Sequence, residues 1–148
     1  MITLHVKRGP IRVILADNHP SFRQGLRFLF GSYTDIEVVG EAENGEEVVH
    51  SMPYLCPSAI VMDINMPKLN GIEATRTIKA HYPHVVIVGL CVHADNVSQT
   101  AMVAAGAKSV LSKGMAGLLL YRQIKAGVEN LPPPPNAAQN SHFYCFLT

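Results

Sequence analysis

The chain has 148 residues, with 12 Lys plus Arg against 11 Asp plus Glu, a formal net charge of +1. Hydrophobic residues make up 48% and charged residues 16%, which suits one globular domain at roughly 100–200 residues per domain. The near-neutral balance excludes the strong basic field of a dedicated nucleic-acid binder and argues against an acidic disordered chain.

Cys56, Cys91 and Cys145 stand at unrelated spacings, with no CxxC pair and no Cys/His zinc pattern. The apolar runs fall far short of the roughly 20 residues that span a bilayer. MITLHVKRGP at the start lacks the apolar stretch of a secretory signal. A reducing, cytoplasmic setting without membrane contact is the expectation.

Short β-branched runs alternate with segments of helical spacing. The first strand is predicted at Ile11–Ala16 and is followed by a helix on Phe22, Gly25, Leu26, Leu29 and Phe30. Next come a strand at Ile36–Ala42 and a helix at Gly45–Leu55, which Pro53 is expected to shorten or kink. A strand at 59–62 precedes a helix at 71–82. A strand at 85–91 precedes a helix with Val97, Ala101 and Ala105 recurring at i, i+4 and i+8. The last pair is a strand at Ser109–Ser112 and a helix at 115–130 carrying Leu120, Ile124 and Val128. Strands apolar on both faces imply a parallel sheet between helices. The fold class is α/β, a doubly wound five-stranded parallel sheet with helices on both faces, over residues 9–130. Residues 1–8 form an N-terminal extension. Residues 131–148 read as a proline-rich linker (Pro132–Pro135) and a short tail ending in HFYCFLT, too short for an output domain.

Ligands of open α/β sheets bind beyond the carboxyl ends of the strands. Asp17, Asn18 and His19 follow the first strand, and Asp63 follows the third. The fourth ends in Cys91, and Lys113 lies beyond the fifth. Two carboxylates and an ammonium converging there suit a hard divalent cation, above all Mg²⁺. A carboxylate can also take a phosphoryl group as a nucleophile. Each residue has a plain structural use as well: Asp63 as a loop cap, Asp17 as a helix cap before Pro20, Asn18 as a loop hydrogen bonder, Lys113 as a solvated charge. Asn70-Gly71 reads as turn chemistry. Cys91 reads as a small core residue rather than a reactive thiol. His19 and His93 are left at the rim, outside the site.

The stretches IRVILADNHPSFRQGL, VVGEAENGEE, VMDINMPKLNGIEATR, and VIVGLCVHADN through AGAKSVLSKG resemble the receiver domain of two-component response regulators. The likeness is strongest to receivers that carry a helix-turn-helix output domain, and it covers about residues 11–130. It implies the flavodoxin-like receiver fold and signalling by conformational change within a transcriptional response regulator, not catalysis on an external substrate. It further implies that Asp63 is the phosphoacceptor and that Lys113 contacts the phosphate. Mg²⁺ would be held by Asp17, Asn18, Asp63 and Asn65, the last through its backbone carbonyl. A sensor histidine kinase or a small phosphodonor would supply the phosphoryl group. A homodimer through the last two strand-helix units is a further implication, with no direct nucleic-acid binding by this segment.

Three positions depart from the receiver pattern. Asn18 stands where a second acid is usual, which predicts weakened Mg²⁺ binding. Cys91 replaces a Thr or Ser, and Val110 replaces an aromatic residue; both are switch positions. The alternative reading is therefore a phosphate-independent pseudo-receiver that acts as a protein-interaction module.

Overall fold

The computed structural model describes residues 9–93 and 95–131. The expected N-terminal extension, tetraproline linker and apolar tail lie outside the described residues.

The chain forms β1 (Ile11–Ala16), α1 (Pro20–Phe30), β2 (Ile36–Ala42), α2 (Gly45–Leu55), β3 (Ala59–Asp63), α3 (Gly71–His81), β4 (Val86–Cys91), α4 (Asn96–Ala104), β5 (Ser109–Ser112) and α5 (Ala116–Glu129). All strand pairs are parallel, in the order β2-β1-β3-β4-β5. The chain reverses direction across the sheet at β1 and β3, so their carboxyl ends flank the crevice.

The period-2 alternation of side chains divides the core into two. Ile14, Ile60, Met62, Ile87 and Cys91 face Val48, Met52, Ala74, Ile78 and Met102 of α2, α3 and α4. Val13, Leu15, Val61, Val88 and Leu111 face Leu26, Phe30, Leu120 and Ile124 of α1 and α5. Every residue of β3 and β4 is buried, which matches their unbroken apolar runs. Edge strand β2 is fully buried only at its two ends, Ile36 and Ala42.

Three local expectations need correction. Helix α2 runs through Pro53 to Leu55, because a proline so near the end forfeits only the bond back to the Val49 carbonyl. The helix then stops at Cys56, whose left-handed φ of 44° and N–H bond to the Met52 carbonyl close the last turn. The buried stripe of α1 is Arg23, Leu26 and Phe30, with Gly25 exposed. In α4 the buried anchor is Met102; of the expected series Ala105, at the end of the helix, is buried, whereas Val97 is 81% exposed. Strong apolar character does not choose a face where a helix packs on the sheet through so few positions.

Candidate functional site

The carboxyl ends of β1, β3 and β5 deliver one acidic crevice. Asp17, the residue after β1, is 1% exposed, and its N–H donates to the Ala42 carbonyl at 3.0 Å. Asp63 closes β3 and is 2% exposed. Lys113 follows β5, and its N–H donates to the Cys91 carbonyl at 2.8 Å. The Lys113 Nζ atom reaches Asp17 Oδ2 at 2.6 Å and Asp63 Oδ2 at 3.3 Å. It lies 4.7 Å from the centre of the Phe22 ring, so the ammonium is roofed by an aromatic face. Two buried carboxylates thus share one cation.

Burial pushes the Asp63 carboxyl above its ordinary range, and the neighbouring Asp17 charge adds to this; the Asn65 N–H and Lys113 oppose it. The Asn65 N–H donates to Asp63 Oδ1 at 3.1 Å, leaving Oδ2 toward Lys113. Cys91 is 2% exposed, and its Sγ donates to the Leu111 carbonyl at 3.8 Å. Burial, with Asp95 and Asp63 nearby, holds this thiol protonated. Val110 is half-buried against the same core half, level with Gly89 of β4.

Two oxygens here lack aligned hydrogen bonds. Among the described residues, Asp17 Oδ2 has its ion pair to Lys113 but no hydrogen bond of good geometry, and the buried Asn18 Oδ1 has no hydrogen-bond partner. Buried polar oxygens are normally satisfied, so both fit a cation that prefers oxygen ligands. Asp17, His19 and Asp63 each bring one ligand atom within 4.8 Å of the others.

Residues 13–126 match the response regulator receiver domain family. The chain belongs to that family. Transcriptional regulatory protein DegU of Brevibacillus brevis is 36% identical over 120 residues, covering 81% of this chain and 51% of DegU. Response regulator UvrY of Escherichia coli is 39% identical over 106 residues, covering 72% and 49%. The chain therefore spans about half the length of these curated relatives. The response regulator domain of Thermotoga maritima CheB superposes with a TM-score of 0.76 at 27% identity, covering 83% of this chain and 99% of that one. A LuxR-family response regulator from Aurantimonas sp. SI85-9A1 gives 0.77 at 29% identity, covering 88% and 94%. The receiver fold, a component of two-component signalling, is what these likenesses share. Among the described residues, no helix is long and apolar enough to cross a membrane.

Within this receiver domain the crevice includes three residues that sequence reading missed. His19 Nδ1 lies 3.0 Å from Asp17 Oδ1 and 3.4 Å from Lys113 Nζ, so it belongs to the cluster rather than to the rim; His93 has no such contact. The buried Arg23 donates to the Asp17 carbonyl and to Glu41 at 3.2 Å, tying the end of β1 to that of β2. Its spacing to Leu26 and Phe30 (i, i+3, i+7) was the available signal. Gly71 is more than turn chemistry: a Cβ there would stand 2.1 Å from the Asp63 carbonyl oxygen.

Proposed function

We propose that Asp63 is the phosphoacceptor of this receiver, with Asp17, Asn18, Asp63 and the Asn65 carbonyl holding Mg²⁺. The observation that carries the reading is the convergence of Asp17, Asp63 and Lys113 from three strand ends within 3.3 Å of one ammonium. One oxygen of the ionised Asp63 attacks phosphorus, forming an O–P bond as the bond to the donor breaks. The leaving group is a phosphohistidine imidazole of a sensor histidine kinase or the anion of a small phosphodonor. The Asn65 N–H fixes the Asp63 carboxylate, and Lys113 moves from the carboxylate to a phosphoryl oxygen as that charge arrives. A bound Mg²⁺ would neutralise phosphoryl charge, and positioning and neutralisation make up most of the catalysis. The uncharged amide of Asn18 weakens Mg²⁺ without abolishing it. The domain occupies residues 9–130 and acts without an external substrate, in the cytoplasm, as the input half of a transcriptional regulator whose dimer uses the last two strand-helix units.

Intact mass after incubation with a small acyl phosphate and Mg²⁺ tests this, with Asp63→Ala as control. One added phosphoryl group, absent from the variant, is expected. Folded protein without an adduct even at high Mg²⁺ favours the pseudo-receiver instead, a reading supported by Asn18, Cys91 and Val110.

A further inference from the structure

We propose that His19 is a ligand of the cation in this pocket and that its imidazole turns the site from Mg²⁺ toward a borderline divalent ion such as Mn²⁺. The inference rests on the cation site of the proposed function and goes beyond it in naming a fourth side chain and a metal preference. His19 Nδ1 is 3.0 Å from Asp17 Oδ1. Two ligands about 2.1 Å from one metal and at right angles are about 3.0 Å apart, so the pair already has the separation of neighbouring corners of an octahedron. Asp63 supplies a third ligand atom within 4.8 Å of both. Asn18, between Asp17 and His19 in the chain, has a buried Oδ1 with no hydrogen-bond partner among the described residues.

The placement of the ring is built into the backbone. The His19 N–H donates to Asp17 Oδ1 at 2.8 Å, and Pro20 opens α1 directly after it. Without the ion, Nδ1 lies at hydrogen-bond distance from the same carboxylate oxygen, and metal entry would replace that contact. In the ligand role the Nδ1 lone pair faces the ion. Lys113 Nζ now sits 3.4 Å from Nδ1 and withdraws toward Asp63 when the metal enters. Carboxylate, carbonyl and water ligands suit Mg²⁺ and Mn²⁺ alike, whereas an imidazole favours the transition metal. With Asn18 contributing an uncharged oxygen, the nitrogen ligand weighs more in the total affinity.

The test is titration of the full chain with Mn²⁺ and with Mg²⁺, wild type against His19→Ala and His19→Gln, with pulsed electron paramagnetic resonance of the bound Mn²⁺. The wild type is expected to show coupling to a directly bound ring nitrogen, abolished by Asp17→Ala together with binding itself. Both His19 variants should lose that coupling and at least about tenfold in Mn²⁺ affinity, while Mg²⁺ affinity stays nearly constant. Mn²⁺ bound by the wild type without nitrogen coupling overturns the proposal, as do equal losses for the two ions. If the folded wild type binds neither ion, the cation site itself fails, a result distinct from the failure of His19 alone.

Discussion

Asp63 carries conflicting demands. As the proposed nucleophile it must be ionised, yet its burial and the Asp17 charge raise its proton affinity. The folded state therefore holds the Asp63 proton more tightly than the unfolded state does. By linkage, that contribution to stability is fully present below the unfolded value, about 3.9, and is lost as pH rises through the folded value. Removing the charge should relieve the metal-free protein at neutral pH. Asp63→Asn keeps the Oδ1 acceptor for Asn65, so thermal unfolding at pH 7 without divalent ions is expected to shift upward. The rise should be roughly 2–4 °C for each kcal/mol relieved in a chain of this size, and it should shrink as pH falls toward 4. A difference that does not change with pH would show that Lys113 alone satisfies both carboxylates. The three charged residues were legible because each follows a β-branched run, where a parallel sheet gathers its ligands. His19 was not, since one exposed histidine beside a proline gives no sign that its ring turns back over Asp17. Arg23 was hidden by the assumption that an inward helical stripe is apolar; here a guanidinium fills it by satisfying the Asp17 carbonyl and the Glu41 carboxylate.

At the level of elements, the approach of α3 to the end of β3 sets the geometry of Asp63, the proposed phosphoacceptor. Asn70 caps α3 by accepting the Glu73 N–H at 2.9 Å. The Gly71 N–H donates to the Ile64 carbonyl at 2.9 Å. With a would-be Cβ 2.1 Å from the Asp63 carbonyl oxygen, any side chain at 71 must push backbone against backbone. Gly71→Ala is therefore expected to destabilise by about 1–3 kcal/mol, as overpacking does, and to slow phosphorylation by displacing Asp63. Asn70→Ala loses about 1 kcal/mol through its cap but leaves β3 in place, so its phosphorylation rate should stay near wild type. Denaturant titration with rates of mass gain for both variants separates the two effects; equal slowing would mean that helix stability, not contact with Asp63, governs the site. Asn-Gly in the sequence announced a turn, but the close approach is a tertiary contact between residues 63 and 71. The number and order of elements, by contrast, followed from hydrophobic period alone. The face of α4 did not, because alanines and Val97 supply an apolar pattern, whereas the residue buried within the helix is Met102.

On the scale of the whole molecule, the question is how a charge change in the crevice reaches a distant surface. On the α1–α5 side, the parts are already braced. Tyr33 and Tyr121 stack at 3.8 Å, and the Tyr121 hydroxyl and Lys125 both donate to Asp35 Oδ2, at 2.7 and 3.1 Å. On the α4 side, Cys91 lies buried with its thiol turned to the Leu111 carbonyl, and the space over Gly89 is filled by Met102 and Val110. A Cβ at 89 would meet both at 3.1–3.2 Å. A long-range switch needs an element with two discrete arrangements that the ligand biases differently. A thiol is a weak donor to an incoming phosphoryl group, and valine has no ring to swing between buried and exposed positions. Phosphorylation is thus expected to tighten the loops bearing Asp17, Asp63 and Lys113 while leaving α4 unmoved. Hydrogen exchange of the phosphorylated chain should show slowed amides beside these three residues and unchanged amides across Asn96–Ala104. In the double variant Cys91→Thr, Val110→Tyr, a hydroxyl and a ring are present together, and the flexible Met102 is the side chain that must give way. There the exchange of α4 should change on phosphorylation. A response of α4 in the wild type equal to that of the double variant would mean that the signal travels by another route, through Lys113 and the start of α5.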